Sequence, residues 1–247
     1  MNQSAGTSVD DFLSGRVQVV QPEKGFRAGT DSVLLAAALK ASLRGEALEI
    51  GCGAGGALLP AAWRLPEARF TGLEKSLPMA ALAVEGVGIN NLQDRVAIVE
   101  GDAGAVPQDW QNRFDLVFSN PPFFEAGSIQ QPGEGKDGAY LESISLKDWL
   151  SAMLFCVRPR GCIVMIHRAS DLARILGVLE RRAGEITVLP IRSYPGADAK
   201  RVLIKARKGL RPGPLRLLAG LDLYDARGGE RTQELRAIAS DGLGIDW

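Results

Sequence analysis

The run FDLVFSNPPFFEAG at 114–127 places an amide, two prolines and two phenylalanines directly after an apolar stretch. Asn120 offers a carbonyl acceptor and two N–H donors in one plane. Pro121 and Pro122 forbid both helix and ladder bonding, so the loop that carries Asn120 is stiff. A planar amine could donate its hydrogens to the side-chain carbonyl of Asn120 and the backbone carbonyl of Pro121, while Phe123 stacks on the ring that bears it. Two such carbonyls orient a nitrogen lone pair and stabilise the positive charge that grows as nitrogen attacks a methyl sulfonium. That chemistry needs no strong general base, and the chain has one histidine. A proline-stiffened turn with buried phenylalanines is the plainer alternative.

A second motif, Gly51-x-Gly53-x-x-Gly56, spells the dinucleotide fingerprint. Glu74 follows at the spacing of an acid that accepts from two vicinal ribose hydroxyls. Three features weigh against a nicotinamide dinucleotide. Residues 1–45 precede the unit, no second mononucleotide half follows, and Glu49 would repel a pyrophosphate. Glu49 would instead steady a cationic cofactor. S-adenosylmethionine carries a sulfonium and an α-ammonium and no phosphate, so the charges favour it. Asp102, in EGDA, either accepts from an adenine amine or caps a helix. A glycine turn with no ligand is the alternative for the loop itself.

These residues need a frame. Apolar runs at 47–50, 68–74, 95–102, 114–120 and 162–168 read as strands, followed by 186–194 and 199–208, a hairpin joined by PGAD. Helices are expected over 32–43, capped by Asp31 or Thr30, and over 56–65, 77–89, 145–157 and 170–182. Residues 1–15 read as loose, 17–21 as a short strand or extended arm, and 231–239 as a short helix. The alternation gives an α/β fold with a seven-stranded Rossmann-like sheet, mostly parallel, closed by the C-terminal antiparallel hairpin. The chain divides into an N-terminal arm and helix (1–45), a central domain (46–210) and a C-terminal extension (211–247).

EIGCGAG (49–55), LEK (73–75), GDA (101–103) and NPPF (120–123), in that order, resemble the class I S-adenosylmethionine-dependent methyltransferases, in the branch that modifies exocyclic or amide nitrogens. GFRAGTDSVLLAAAL (25–39) further resembles the bacterial transfer-RNA valine adenine-37 N6-methyltransferases and their small-domain relatives. The resemblance implies that Glu49, Gly51, Cys52, Gly53 and Gly55 line the methionine part of the cofactor. It puts Glu74 on the ribose, Lys75 beside the adenine, and Asp102 and Ala103 against the adenine ring. Gly29, Thr30 and Asp31 would close over the cofactor from the N-terminal side. Asn120, Pro121, Pro122 and Phe123 would grip the target base. Relatives often carry Tyr where Phe123 stands; Phe keeps the stacking face. The implied reaction is N6 methylation of an adenine in structured RNA, with transfer RNA the expected partner. A ribosomal guanine N2, a DNA adenine, a protein glutamine amide and a non-catalytic binding protein are the alternatives.

The charge balance is 29 basic against 29 acidic residues, but it is uneven along the chain. Residues 1–150 hold 12 Lys and Arg against 19 Asp and Glu, and residues 151–247 hold 17 against 10. Arg192, Lys200, Arg201, Lys205, Arg207 and Lys208, all on the expected hairpin, are the candidates for holding RNA phosphates. Cys52, Cys156 and Cys162 lack the paired spacing of a zinc site, so no metal is expected. No stretch approaches the roughly 18 apolar residues of a membrane span. The segment MNQSAGTSVDDF is neither basic nor apolar, so a cytoplasmic protein without a signal peptide is expected.

Overall fold

The computed structural model describes residues 6–25, 27–122 and 144–247. Its centre is one twisted sheet. Strands β3 (Glu46–Ile50), β4 (Arg69–Glu74), β5 (Val96–Glu100), β6 (Phe114–Ser119) and β7 (Val157–Arg168) are mutually parallel, in the spatial order β5-β4-β3-β6-β7. The hairpin β8 (Ala183–Arg192) and β9 (Ala199–Lys208) completes it, with β9 antiparallel to both β7 and β8. This is the Rossmann-like arrangement, but among the described residues the sheet has nine strands rather than seven. The additional two are two-residue strands, β10 (Arg216–Leu217) and β11 (Leu221–Asp222), laid parallel on the open edge of β8. The tail RPGPLRLLAG is too rich in Pro and Gly for a helix, yet its extended backbone can pair with an exposed edge.

Helices cover both faces of the sheet. Helices α1 (Thr30–Ala37), α2 (Leu58–Arg64) and α6 (Gln233–Asp241) bury Leu34, Leu35, Leu58, Leu59, Leu235 and Ile238 on one face, against Ala47, Phe118, Val164 and Leu203. Helices α4 (Leu146–Cys156) and α5 (Leu172–Leu179) bury Trp149, Leu150, Met153, Ile175 and Leu179 on the other, against Leu48, Ile50, Val117 and Met165. Alternate strand residues thus serve opposite layers, and Glu49, between Leu48 and Ile50, shares the α1–α2 face with Ala47. Helix α3 (Leu77–Ile89) flanks β4 and β5.

Two expectations need correction. Residues 7–12 are ordered: they form β1 (Thr7–Phe12), paired antiparallel with β2 (Val17–Pro22). The sequence TSVDDF hides this strand because it buries little; β2 provides the apolar face through Val17, Val19 and Val20. Asn90 at the end of α3 then anchors the hairpin, accepting from the Gln18 N–H at 2.9 Å and donating to the Gln18 carbonyl at 2.6 Å. Helix α1 also differs. It is preceded by Gly29, with no side-chain cap from Thr30 or Asp31, and it stops at Ala37 instead of 43. Its last carbonyls are taken by other segments: Ala37 by the Ile245 N–H at 2.8 Å and Ala38 by the Trp247 indole N–H at 3.0 Å.

Candidate active site

The carboxyl ends of β3 and β6 lie side by side, and a crevice opens between them. It is lined by Glu49, Gly51, Cys52, Gly53, Ala54, Gly56 and Ala57 from β3 and its loop, by Asn120 after β6, by Met79 on α3, and by Gln21, Ala28 and Ser32 from the N-terminal segment. The glycine loop has a reason at each position. Gly51 has φ +71°, a left-handed conformation, and a Cβ there would lie 2.8 Å from the Trp149 ring. Gly56 carries no Cβ because Ala28 packs on it; an added Cβ would lie 2.1 Å from the Ala28 Cβ. The N-terminal segment therefore rests directly on the glycine loop.

Glu49 is 2% exposed, and its Oε2 has no hydrogen-bond partner among the described residues. Burial first, then the nearby Glu74 charge, push its carboxyl well above the usual carboxylate range, while the Leu58 N–H opposes them. A buried acid oxygen with nothing to bind, facing a crevice, suits a cation. Glu74, by contrast, is held in place. Its Oε2 accepts from the Gly53 N–H and its Oε1 from the Ser76 N–H, both at 2.8 Å. Each oxygen keeps acceptor capacity for a hydroxyl.

At the end of β5, Asp102 does the capping job that the sequence left open. Its Oδ1 accepts from the Gly104 N–H at 2.8 Å and its Oδ2 pairs with Lys75 at 2.7 Å. The Lys75 ammonium, then the Gly104 N–H, hold its pKa down. Ala103 is buried beside it. Gly55, at φ +88°, sits against Leu59 and does not line the crevice. The three residues expected to close over the cofactor are not among those that line this crevice. Gly29 and Thr30 face a separate surface hollow shared with β1 and α6, and Asp31 pairs with Arg201 at 2.9 Å. Of their neighbours, Ser32 faces the crevice and Ala28 borders both hollows. Pro121 is buried and Pro122 exposed; Phe123 lies outside the described residues.

Outside the run 51–57, four crevice residues escaped the sequence reading: Gln21, Ala28, Ser32 and Met79. Gln21 is 1% exposed, accepts from the Ala28 N–H at 2.6 Å and donates to Asp10 at 2.6 Å. A polar side chain within the apolar VQVVQ was the available signal.

The expected RNA-holding residues are divided. Arg192, Lys200 and Arg201 lie at the carboxyl edge of the sheet with Asn120, where Arg201 pairs across the ladder with Arg168. Arg207 and Lys208 lie at the opposite edge, bonded to the Arg160 carbonyl and to Asn112 and the Val157 carbonyl. Lys205 is partly buried against the Trp247 ring, 4.5 Å from its centroid. Arg192 makes a two-pronged pair with Asp222, at 2.6 and 3.0 Å.

The described residues contain no group of three His, Cys, Asp or Glu placed to hold a metal, and no helix long and apolar enough to cross a membrane. Burial pushes the thiols of Cys52, Cys156 and Cys162 up, the last two to about 12 and about 11, so none is a ready nucleophile.

Sheet, glycine loop and fixed acid define a class I S-adenosylmethionine-dependent methyltransferase. The family model "Methyltransferase small domain" matches residues 23–132, the stretch from the N-terminal segment through the glycine loop to the Asn-Pro-Pro loop. Over that stretch, just under half of its length, the chain is similar to the small-domain methyltransferases. It is 29% identical over 209 residues to a tRNA1(Val) (adenine(37)-N6)-methyltransferase of Porphyromonas gingivalis, covering 80% of this chain and 81% of the relative. A protein of the same name from Shewanella putrefaciens is 28% identical over 182 residues, covering 72% and 76%. Among solved structures, a predicted O-methyltransferase from Agrobacterium tumefaciens superposes with a TM-score of 0.71 at 23% identity, over 87% of this chain and 98% of that one. P. horikoshii TYW2 in complex with MeSAdo follows at 0.58 and 14%, over 85% and 74%. These two likenesses speak for the fold.

Proposed function

We propose that this enzyme methylates the exocyclic N6 of an adenine in transfer RNA, at position 37, the position for which its relatives are named. The observation that carries the reading is that Asn120 lines the same crevice as Glu49 and the glycine loop. The residues fit S-adenosylmethionine: Glu49 offers an unpartnered buried oxygen for an α-ammonium, Glu74 a fixed carboxylate for ribose hydroxyls, and Gly51 and Gly53 a bare turn beneath the methionine part. That cofactor supplies an electrophilic methyl group. Asp102, Lys75 and Ala103 flank the adenine end, Asp102 with the lone pairs that its cap and ion pair leave over.

Asn120 and the Pro121 carbonyl take hydrogen bonds from the target amine and point its lone pair at the methyl. The stiff prolines keep these acceptors from relaxing, so positioning and electrostatics provide most of the rate. Phe123, which lies outside the described residues, is the ring assigned to stack on the flipped base, a contact worth about 1–3 kcal/mol per base. An adenine in a loop leaves its stack more cheaply than one in a duplex.

The test is to incubate the enzyme with methyl-labelled cofactor and separated tRNA, ribosomal RNA, DNA and protein fractions, then identify the labelled product. Label in N6-methyladenosine from tRNA is expected. Label confined to guanine, to DNA or to protein overturns the substrate. Asn120→Ala is expected to lower kcat by about 10²-fold or more, the usual cost of losing one such oriented dipole. Full activity in that variant overturns the role of Asn120.

A further inference from the structure

The β3–β6 ladder runs through Ala47↔Leu116, Leu48↔Val117 and Glu49↔Phe118, and no rung joins Ile50 to Ser119. At that level the two strands part to open the crevice. Another connection takes the place of the missing rung. The Ser119 hydroxyl, 0% exposed, donates to the Ile50 carbonyl at 2.6 Å. It accepts in turn from the Trp149 indole N–H at 3.0 Å. Trp149 stands on the first turn of α4, and the edge of its ring lies under Gly51, where it fills the space that a Cβ would need. One side chain thus touches the cofactor loop at Gly51 and, through Ser119, the residue that precedes Asn120.

We propose that Trp149 and Ser119 are positioning residues for methyl transfer: the chain Trp149–Ser119–Ile50 sets the spacing between the glycine loop and Asn120. This rests on the reading that Asn120 holds the target amine. Both hydrogen bonds are buried, where water does not compete, and both end at backbone or ring atoms with little freedom. The Ile50 carbonyl immediately precedes the Gly51 turn, and the Ser119 backbone leads directly into Asn120. A change in either bond therefore shifts the donor loop relative to the acceptor loop. Reactions between two held groups are sensitive to displacements of about 1 Å or less.

The test uses the full-length enzyme with tRNA that lacks the modification, in Trp149→Phe, Ser119→Ala and the double variant. Trp149→Phe removes the N–H together with part of the indole under Gly51, whereas Ser119→Ala removes the hydroxyl alone and leaves the ring in place. Expected is a fall in kcat of about tenfold in each single variant, with KM for tRNA and Kd for S-adenosylhomocysteine changed less than about twofold. The double variant should lose little more than either single one, because both act through one connection. A purely structural role predicts a lower melting temperature and a loss of active fraction that lowers cofactor-binding stoichiometry and apparent rate together, with no change in kcat per folded molecule. Either that pattern, or full kcat in Trp149→Phe, overturns the proposal. If Asn120→Ala is also fully active, the reading of Asn120 fails first. If Asn120→Ala is inactive while Trp149→Phe is not, only the positioning role fails.

Discussion

The orphaned Oε2 of Glu49 makes two of its properties measurable. In the ligand-free chain, burial and the Glu74 charge raise its carboxyl pKa above the ordinary value of 4.5. An acid whose folded pKa is raised stabilises fully below the unfolded value, and that stability is lost as pH climbs through the folded one. The ligand-free enzyme should therefore lose stability as pH rises from 4.5 through the raised value, and Glu49→Gln should flatten that part of the curve in chemical denaturation. Binding an ammonium reverses the preference and expels the proton. Calorimetry in buffers of different ionisation heat, at pH above the ordinary carboxylate value, should detect proton release on cofactor binding in the parent and none in Glu49→Gln. The same variant should bind S-adenosylmethionine about tenfold more weakly, the value of one charge-assisted hydrogen bond. Gly56 offers a second test. Gly56→Ala should push Ala28 away from the loop, lowering stability by about 1–3 kcal/mol in denaturant and weakening cofactor binding alongside. At this scale the sequence was informative where chemistry is local. Glu49, the glycines, Glu74 and Asn120 announce themselves by type and spacing. Gln21, Ala28, Ser32 and Met79 do not, because only the fold brings them to the crevice, and only the fold brings Trp149 beneath Gly51.

Elements built on strong patterns were legible with little error. LPMAALAVEGVGI reads as a helix over 77–89, and AKRVLIKARK as a strand over 199–208, and both occupy those spans. The failures share one cause: an element completed by a distant partner. Strand β1 exists because β2 supplies its apolar face, and β10 and β11 exist because β8 has an open edge. Helix α1 ends early because the tail of the chain takes its carbonyls. The Trp247 indole bonds the Ala38 carbonyl, Ile245 bonds Ala37, and Arg64 bonds both Ala36 and Gly242, so the tail clamps the end of a helix whose first turn carries Ser32 and which Ala28 precedes. Trp247→Ala removes one hydrogen bond to a partly buried carbonyl and the ring packed beneath Lys205. It should destabilise the enzyme by about 1–3 kcal/mol. Thermal melts with and without S-adenosylhomocysteine should show a larger gap between liganded and free forms in the parent, because the loosened α1 weakens cofactor binding. An unchanged melting temperature would show that the clamp is idle.

Across the whole molecule, the basic excess after residue 150 is not one surface. Strand β9 runs from one edge of the sheet to the other, so Arg201 and Lys208 are separated by on the order of 23 Å at about 3.3 Å per residue. The carboxyl edge, where β3, β6 and β7 end, gathers Lys200, Arg201, Arg168 and Arg174 around the side of the sheet that holds Asn120. The amino edge holds Arg207 and Lys208, already engaged by backbone carbonyls, Asn112 and Glu185. On the proposed function, RNA that delivers a base to Asn120 would lie along the first edge rather than the second. Lys200 is exposed, and Arg174 keeps 60% of its side chain in solvent, so both can be neutralised without opening the core. Lys200→Ala with Arg174→Ala should weaken tRNA binding and flatten the dependence of log Kd on log salt by about 0.7–0.9 for each phosphate that these side chains neutralise. Neutralising Arg207 and Lys208 should leave both quantities near the parent values, with any loss confined to stability. The reverse outcome, a reduced salt slope only in the amino-edge pair, would move the RNA footprint to the opposite edge. The target base would then have to enter from a duplex reaching around β8, whose edge is covered by β10 and β11.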